Sequence, residues 1–219
     1  MLAVPSILLG NALIILLVPW LADLIYALPG FPEDPLGLAG GSRTELAETG
    51  IRSIWPVGAG TELLETATLP DGQPAFQPKE INHMEDVSGL VKASLLVWLV
   101  ALVAGGASGF ALVKRAGRGA LRAALGRGAW LTLIIMAIAG LVMLIAFDAF
   151  FDGFHSVFFE GDSWRFADGS TLRRIYPDEF WGIAFGLFAV IALVEALILA
   201  WRTTGFRWPS LRSGPQDNQ

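Results

Sequence analysis

Two histidines are the whole imidazole complement of this 219-residue chain. His83 stands in Asn-His-Met-Glu-Asp-Val (82–87), just before a long apolar run, and His155 in Asp-Gly-Phe-His-Ser-Val-Phe-Phe (152–159), just after the next one. Imidazole titrates near neutral pH and serves as both base and acid. Each ring has carboxylates at helical spacing. Glu85 and Asp86 follow His83, while Asp148, Asp152 and His155 are spaced i, i+4, i+7 and share one stripe if a helix runs through them. A carboxylate bonded to one ring nitrogen fixes the tautomer and raises the basicity of the other. Asp86 is therefore a candidate to orient His83, and Asp148 or Asp152 to orient His155. Phe147, Phe150, Phe151, Phe154, Phe158 and Phe159 surround the second stripe and supply material for an acyl-chain groove.

Such chemistry needs elements that bring the two rings to one place, and the composition points to a membrane. Hydrophobic residues make up 54% of the chain and charged residues 16%, where a soluble domain has about a quarter charged. There is no cysteine, which excludes disulfides, thiolate catalysis and thiolate metal sites. Four runs, about 2–22, 90–113, 129–150 and 180–200, approach the roughly 20 apolar residues a spanning helix needs. The first has no Lys or Arg ahead of it and exceeds the about 7–15 residues of a signal-peptide apolar core, so it reads as an uncleaved span.

Charge sets the orientation. Lys114, Arg115, Arg118, Arg122 and Arg127 fall in the 114–128 connection with no acid among them, and Arg202, Arg207 and Arg212 in the tail 202–219 face a single Asp217. Both segments should be cytoplasmic. The 23–88 stretch carries eleven acids and three bases, and 152–179 carries six acids and three arginines; both should be extracytoplasmic. Trp20, Tyr26, Tyr176 and Trp181 fit an outer interfacial belt, and Trp201 and Trp208 an inner one. The expectation is an all-α integral membrane protein of a single domain: four transmembrane helices, both termini cytoplasmic, and a small extracytoplasmic cap formed by two loops. Both histidines then reach the outer bilayer surface, which suits chemistry on a lipid or a lipid-anchored substrate.

Local signals add detail. Asn82, with Glu85 reaching back, forms a capping-box pattern that places His83 in the first turn of the second span. Ser42-Arg43-Thr44-Glu45 predicts a short helix to about Ile54. Pro70-Asp71-Gly72 predicts a turn between short strands around Ala67 and Ala75, and 164–172 predicts a small hairpin. Ala101, Gly105 and Gly109 form a small-residue ridge that lets another helix pack closely.

The His-Met-Glu-Asp-Val segment, together with Phe-His-Ser-Val-Phe-Phe-Glu-Gly-Asp-Ser-Trp-Arg-Phe (154–166) and Tyr-Pro-Asp-Glu-Phe-Trp (176–181), resembles two hallmarks of the lipoprotein intramolecular transacylases, four-span proteins of the bacterial cytoplasmic membrane. Where that pattern often has Lys after the Val, this chain has Ser88, with Lys92 four residues on. The resemblance implies transfer of the sn-2 acyl chain of a diacylglyceryl lipoprotein to the α-amino group of its N-terminal cysteine, and it places the functional histidines at His83 and His155. Phe151, Phe154, Phe158, Asp162, Trp164 and Tyr176 are candidates for holding the substrate. The implied partners are the lipoprotein and membrane lipid.

Imidazole suits that reaction. An α-ammonium group of pKa about 8 must lose a proton before it attacks an ester, and the departing glycerol oxygen needs one. Ester-to-amide transfer runs downhill, so no cofactor is called for, and no P-loop or dinucleotide fingerprint is present; no nucleotide or nucleic acid is expected as a partner. Two rival classes are a metal-dependent membrane lipid hydrolase, using the histidines with Asp148 or Asp152, and a non-enzymatic accessory or transport protein. No His-Glu-x-x-His spacing supports the first, so no metal is expected. Lys92 and Glu195 are too few to suggest the proton relay of the second.

Overall fold

The protein is described by a computed structural model over residues 1–204. Arg207, Trp208, Arg212 and Asp217, expected in an inner basic tail, lie outside the described residues. The described elements are all helices: α1 Ala3–Leu16, α2 Leu21–Tyr26, α3 Gly40–Ser53, α4 Glu62–Glu65, α5 Pro78–Ile145, α6 Phe147–Phe158, α7 Thr171–Ile175 and α8 Asp178–Thr204.

α5 has 68 residues, a length of about 100 Å if it were straight. It is not straight. Gly117 takes φ 81° and ψ 172°, a left-handed backbone that favours glycine, and the chain folds back there. A Cβ on Gly109 would lie 3.4 Å from Leu121 Cδ1, although twelve residues of continuous helix would separate them by about 18 Å. Gly105 and Gly128 both meet the first turn of α1, at Ala3 and Val4. α5 is therefore two antiparallel arms, 78–116 and 118–145, flanking α1. The basic segment 114–128, expected as a loop, is helical on either side of one glycine. Among the described residues, two helices, α5 and α8, are long and apolar enough to cross a membrane.

α1, both arms of α5, and α8 pack along small residues. Ala12, Ala192 and Ala196 are fully buried, Val4 and Leu8 pack against Ala196, and Met136 packs between Ala12 and Ala192. Small residues let apolar helices approach closely, and Gly105 of the expected ridge does this against Ala3. Outward-facing Phe110, Ile138, Leu144 and Val190 are exposed, the pattern of a surface that meets lipid rather than water. Three polar side chains join across the bundle: Trp98 Nε1 donates to Asn11 Oδ1 (3.0 Å), and Asn11 Nδ2 donates to Glu195 Oε1 (3.4 Å).

The expected helix boundaries shift in four places. The first run breaks after Leu16, because Pro19 cannot continue the ladder; a short α2 follows. α5 begins at Pro78, five residues before His83. Gln77 is its N-cap, with an extended backbone (φ −82°, ψ 156°) as befits a residue before proline, and Glu80 completes the capping box. Asn82 is thus interior, and His83 lies in the second turn. α3 starts at Gly40 rather than at Ser42. The third run ends at Ile145. Ala146 (φ −149°, ψ 58°) breaks it, and α6 begins with Asp148 in its first turn, where an acid complements the helix dipole.

The two long connections form one cap. Its core joins Leu21 and Ile25, Leu46 and Ile51, Leu64, Phe76, Met84, Leu172 and Ile175, and Phe180. Asp34 and Arg174 make a two-pronged ion pair (2.8 and 3.1 Å), and Asp34 also accepts from the Leu36 and Leu38 amides. Arg43 donates to the carbonyls of Arg174 and Pro32. The Tyr176 hydroxyl donates to the Ala47 carbonyl, and the Tyr26 hydroxyl to that of Ile175. Around Pro70-Asp71-Gly72 the predicted turn forms, with Leu69 N–H donating to Gln73 O (2.8 Å) and Gly72 at φ 84°, but the flanking pairing is one isolated bridge, Thr68 to Pro74. The predicted hairpin at 164–172 does not form; turns lead instead into α7.

Candidate active site

α5 presents His83 from its second turn, and α6 presents His155 from its last. The ring centroids lie 6.2 Å apart with planes inclined by 26°. Aromatic side chains enclose them. Phe159 stands edge-on to His83 (4.8 Å) and lies 5.4 Å from His155, and Phe166 closes the other side of His83 (5.4 Å). His155 lies against Phe151 (4.1 Å) and Trp164 (4.6 Å).

The two rings differ in bonding. His155 Nδ1 meets the Phe151 carbonyl one turn back at 2.8 Å. A carbonyl only accepts, so Nδ1 carries the proton and Nε2 keeps its lone pair. His83 is 8% exposed, and its Nδ1 has no hydrogen-bond partner. Trp164 Nε1 and Ser163 Oγ are likewise buried and unpartnered. Such groups cost about 1–3 kcal/mol each when left unsatisfied. Three of them in one small region are what a polar ligand would satisfy.

Burial lowers the His83 imidazole to about 4, with His155 and Lys79 pushing in the same direction. Burial also lowers His155, but the Phe151 carbonyl and the Asp152 carboxylate oppose it. Both rings are therefore neutral at pH 7, with His155 the better base.

The expected supporting acids are arranged differently from the simple stripe. α6 does run through Asp148, Asp152 and His155, yet the direct partner of His155 is a backbone carbonyl. Asp152 lies 3.6 Å from Arg165, as does Asp162, and the Arg165 guanidinium lies over the Trp164 ring at 4.8 Å. Asp152 therefore acts on His155 by charge without bonding to it, and Asp162 meets the neighbouring Arg165. Asp148 and Asp86 are exposed, and neither bonds to a histidine. Glu85 accepts from the Thr61 hydroxyl at 3.3 Å. Phe154 lies 5.5 Å from His155 and packs on Phe158. Tyr176 is not at the site; it packs on Phe180 and Trp181 within the cap.

Glu80 is the supporting residue that the sequence reading missed. It is 1% exposed, one turn before His83. Oε2 accepts from the Gln77 amide (2.8 Å) and Oε1 from the Leu172 amide (2.7 Å), so one carboxylate caps α5 and fastens α7 to it. Pro at the first helical position followed two residues later by Glu was the readable signal. Lys79, alongside it, donates to the Arg165 carbonyl (2.6 Å) and lies over Phe166. Together these contacts lock the segment carrying Trp164 to the helix carrying His83. Among the described residues, no three His, Asp or Glu side chains converge as a metal-ligand set.

A family model described as lipoprotein intramolecular transacylase Lit matches residues 62–181, more than half of the chain and a stretch that contains both histidines. A protein of Aquifex aeolicus (strain VF5), described as uncharacterized, is 28% identical over 183 residues, covering 79% of this chain and 80% of its own. The in meso structure of the membrane-integral lipoprotein intramolecular transacylase Lit from Bacillus cereus superposes with a TM-score of 0.72 at 18% identity, over 90% of this chain and 87% of that one. A variant of that protein with one histidine replaced by alanine gives 0.67 at 17% identity, over 92% and 87%.

Proposed function

The chain belongs to the lipoprotein intramolecular transacylase family, and from that premise we propose that it moves the sn-2 acyl chain of a diacylglyceryl lipoprotein to the α-amino group of the same molecule's N-terminal cysteine. His83 and His155 carry the reaction. The observation that supports this most is the pair itself: a buried and a half-buried imidazole 6.2 Å apart, the half-buried one with a free acceptor nitrogen and the buried one with an unpartnered ring nitrogen.

The bonding supports unequal roles. His155 Nε2 takes a proton from the α-ammonium group, and the amine nitrogen attacks the sn-2 ester carbonyl carbon. His83, neutral at pH 7, hydrogen-bonds to the carbonyl oxygen as it gains charge. A neutral imidazole is a usable donor at such a position. His155 releases that first proton to solvent and takes a second from the attacking nitrogen of the tetrahedral intermediate; when the intermediate collapses, the C–O bond breaks and the sn-2 oxygen takes this second proton from the His155 imidazolium. The products are an amide and a free glycerol hydroxyl, and His155 returns to its starting state. Donor and acceptor belong to one molecule, so holding them in attack geometry supplies a large part of the acceleration.

In this reading α1, the two arms of α5, and α8 are four spans with both termini cytoplasmic. The cap and both histidines lie at the outer face of the bacterial cytoplasmic membrane, with the phenylalanines of α6 beside the acyl chain. The test is mass spectrometry of a lipoprotein N-terminus produced with the native protein and with His83→Ala or His155→Ala. The N-acyl product should vanish with either substitution while the protein stays in the membrane. Full product from both variants would end the acid–base reading.

A further inference from the structure

We propose that a second cavity, on the face of α5 turned away from His83, binds the headgroup of an aminophospholipid from the outer leaflet. The cavity has a volume of about 450 Å³ and is lined by Ala59, Gly60 and Thr61, by Glu62 and Glu65 of α4, and by Glu85, Ser88 and Lys92 of α5. At 3.6 residues per turn, positions 85, 88 and 92 lie about 140–200° around the helix from His83, so this is a separate site from the paired imidazoles. The inference rests on the outer-face placement proposed above.

Three features specify the ligand. Ser88 is 5% exposed, lines the cavity, and its hydroxyl makes no hydrogen bond within the protein. With its oxygen open to the cavity, Ser88 is placed to meet an external polar group there. Lys92 sits in the same cavity, and none of the ion pairs among the described residues includes it. Its stem points back along α5 toward Ser88, as helical side chains do. An anion is therefore favoured at the inner end. At the other end, Glu62, Glu65 and Glu85 favour a cation. Lys92 is seven residues, about 10 Å, further along α5 than Glu85, and hence deeper toward the bilayer. A lipid with its phosphate at the interface and a primary ammonium group further out has this order of charges. The ammonium offers N–H donors to carboxylates, which a quaternary amine lacks. A substrate lipoprotein carries an α-amino group but no phosphate, and so matches only half of the cavity.

Native mass spectrometry of the full chain in detergent, titrated with phosphatidylethanolamine, phosphatidylcholine and phosphatidylglycerol, tests this. One phosphatidylethanolamine should bind in preference to the other two. Lys92→Met should weaken it by about fivefold to tenfold, the scale of one interfacial cation on a phosphate. The double variant Glu62→Gln, Glu65→Gln should erase the preference over phosphatidylglycerol. Equal binding of all three lipids, unchanged binding by both variants, or equally tight binding of soluble glycerophosphoethanolamine would overturn the proposal. A cysteine at Gly60, on the cavity wall, should label from outside intact cells; labelling only after permeabilisation would overturn the leaflet assignment. Acyl transfer is measured on the same preparations. Its response to the histidine variants judges the transacylase reading, and the lipid preference of the Lys92 variant judges this one.

Discussion

The unequal roles proposed for the two imidazoles can be separated by replacing each with glutamine, which keeps an N–H donor but has no titratable nitrogen. His83 is held near pKa 4 by burial and by two neighbouring bases. Taking a proton from an ammonium of pKa about 8 would then be uphill by about four units, or roughly 5 kcal/mol, a handicap near 10⁴ in rate if His83 were the base. His155 carries a smaller handicap, because the Phe151 carbonyl and Asp152 counter its burial. Loss of the base commonly costs about 10²–10⁴-fold, and an amide cannot replace it. A neutral donor can be replaced. We therefore expect both alanine variants to lose about 10²-fold or more, His155→Gln to stay as low as His155→Ala, and His83→Gln to recover at least about tenfold over His83→Ala. Time courses of N-acyl product, read by mass spectrometry with a purified diacylglyceryl lipopeptide, give the four rates. Recovery with glutamine at position 155 and none at 83 would refute the assignment, since it would make His83 the base.

Trp164→Phe keeps a ring against His155 but removes the buried Nε1–H, and should lower the rate by about tenfold with an unchanged melting temperature; an unchanged rate would show that this N–H does not meet substrate. Glu80→Gln replaces one acceptor of two buried amides and should cost about 2 kcal/mol of cap stability, read as a lower unfolding temperature in tryptophan fluorescence; native-like melting would remove Glu80 from the positioning scheme. The hydrogen bond from Arg174 lowers the Asp34 carboxyl, so this pair stabilises the cap above the ordinary carboxylate pKa and the contribution fades as pH falls through the lowered value. Arg174→Met should destabilise by about 3–5 kcal/mol at pH 7, with the deficit shrinking on acidification as the stranded carboxyl takes up a proton. A deficit independent of pH would show that Asp34 is not the group responsible.

The helical class and the pair of residues that meet at the candidate site were legible because both are written locally. The apolar runs announce helices by length, and two histidines flanked by motif residues mark the place where the rings converge. Less legible was what happens between elements. Nothing near Gly117 distinguishes a one-residue reversal from a short basic loop, since the arginines around it are good helix formers. The helical spacing of Asp148, Asp152 and His155 was real, but spacing cannot reveal a competitor, and Arg165, which lies near Asp152, comes from another segment. Tyr176 shared the motif with Trp164 yet serves the cap, because its hydroxyl reaches Ala47, 129 residues away in sequence. The start of α5 was misplaced by five residues because Asn is the commoner cap and Gln77 acts only with Pro78 and Glu80.

The cap's fastenings have a consequence for the timing of biosynthesis. Asp34 is tied to Arg174 across 140 residues, Ala47 to Tyr176 across 129, and Glu80 to Leu172 across 92. Asp34, the acceptor for Arg174, leaves the ribosome long before its donor, so in the four-span reading proposed above the first connection must wait outside the bundle while the α5 hairpin inserts. Closure becomes possible only when α7 arrives, with α8 still to follow. Nascent or truncated chains therefore carry His83 without the segment that aligns Trp164 and Phe166 against it. On the function proposed above, competence then arises late and all at once, so an unfinished chain has no assembled centre to activate an amine beside the surrounding esters.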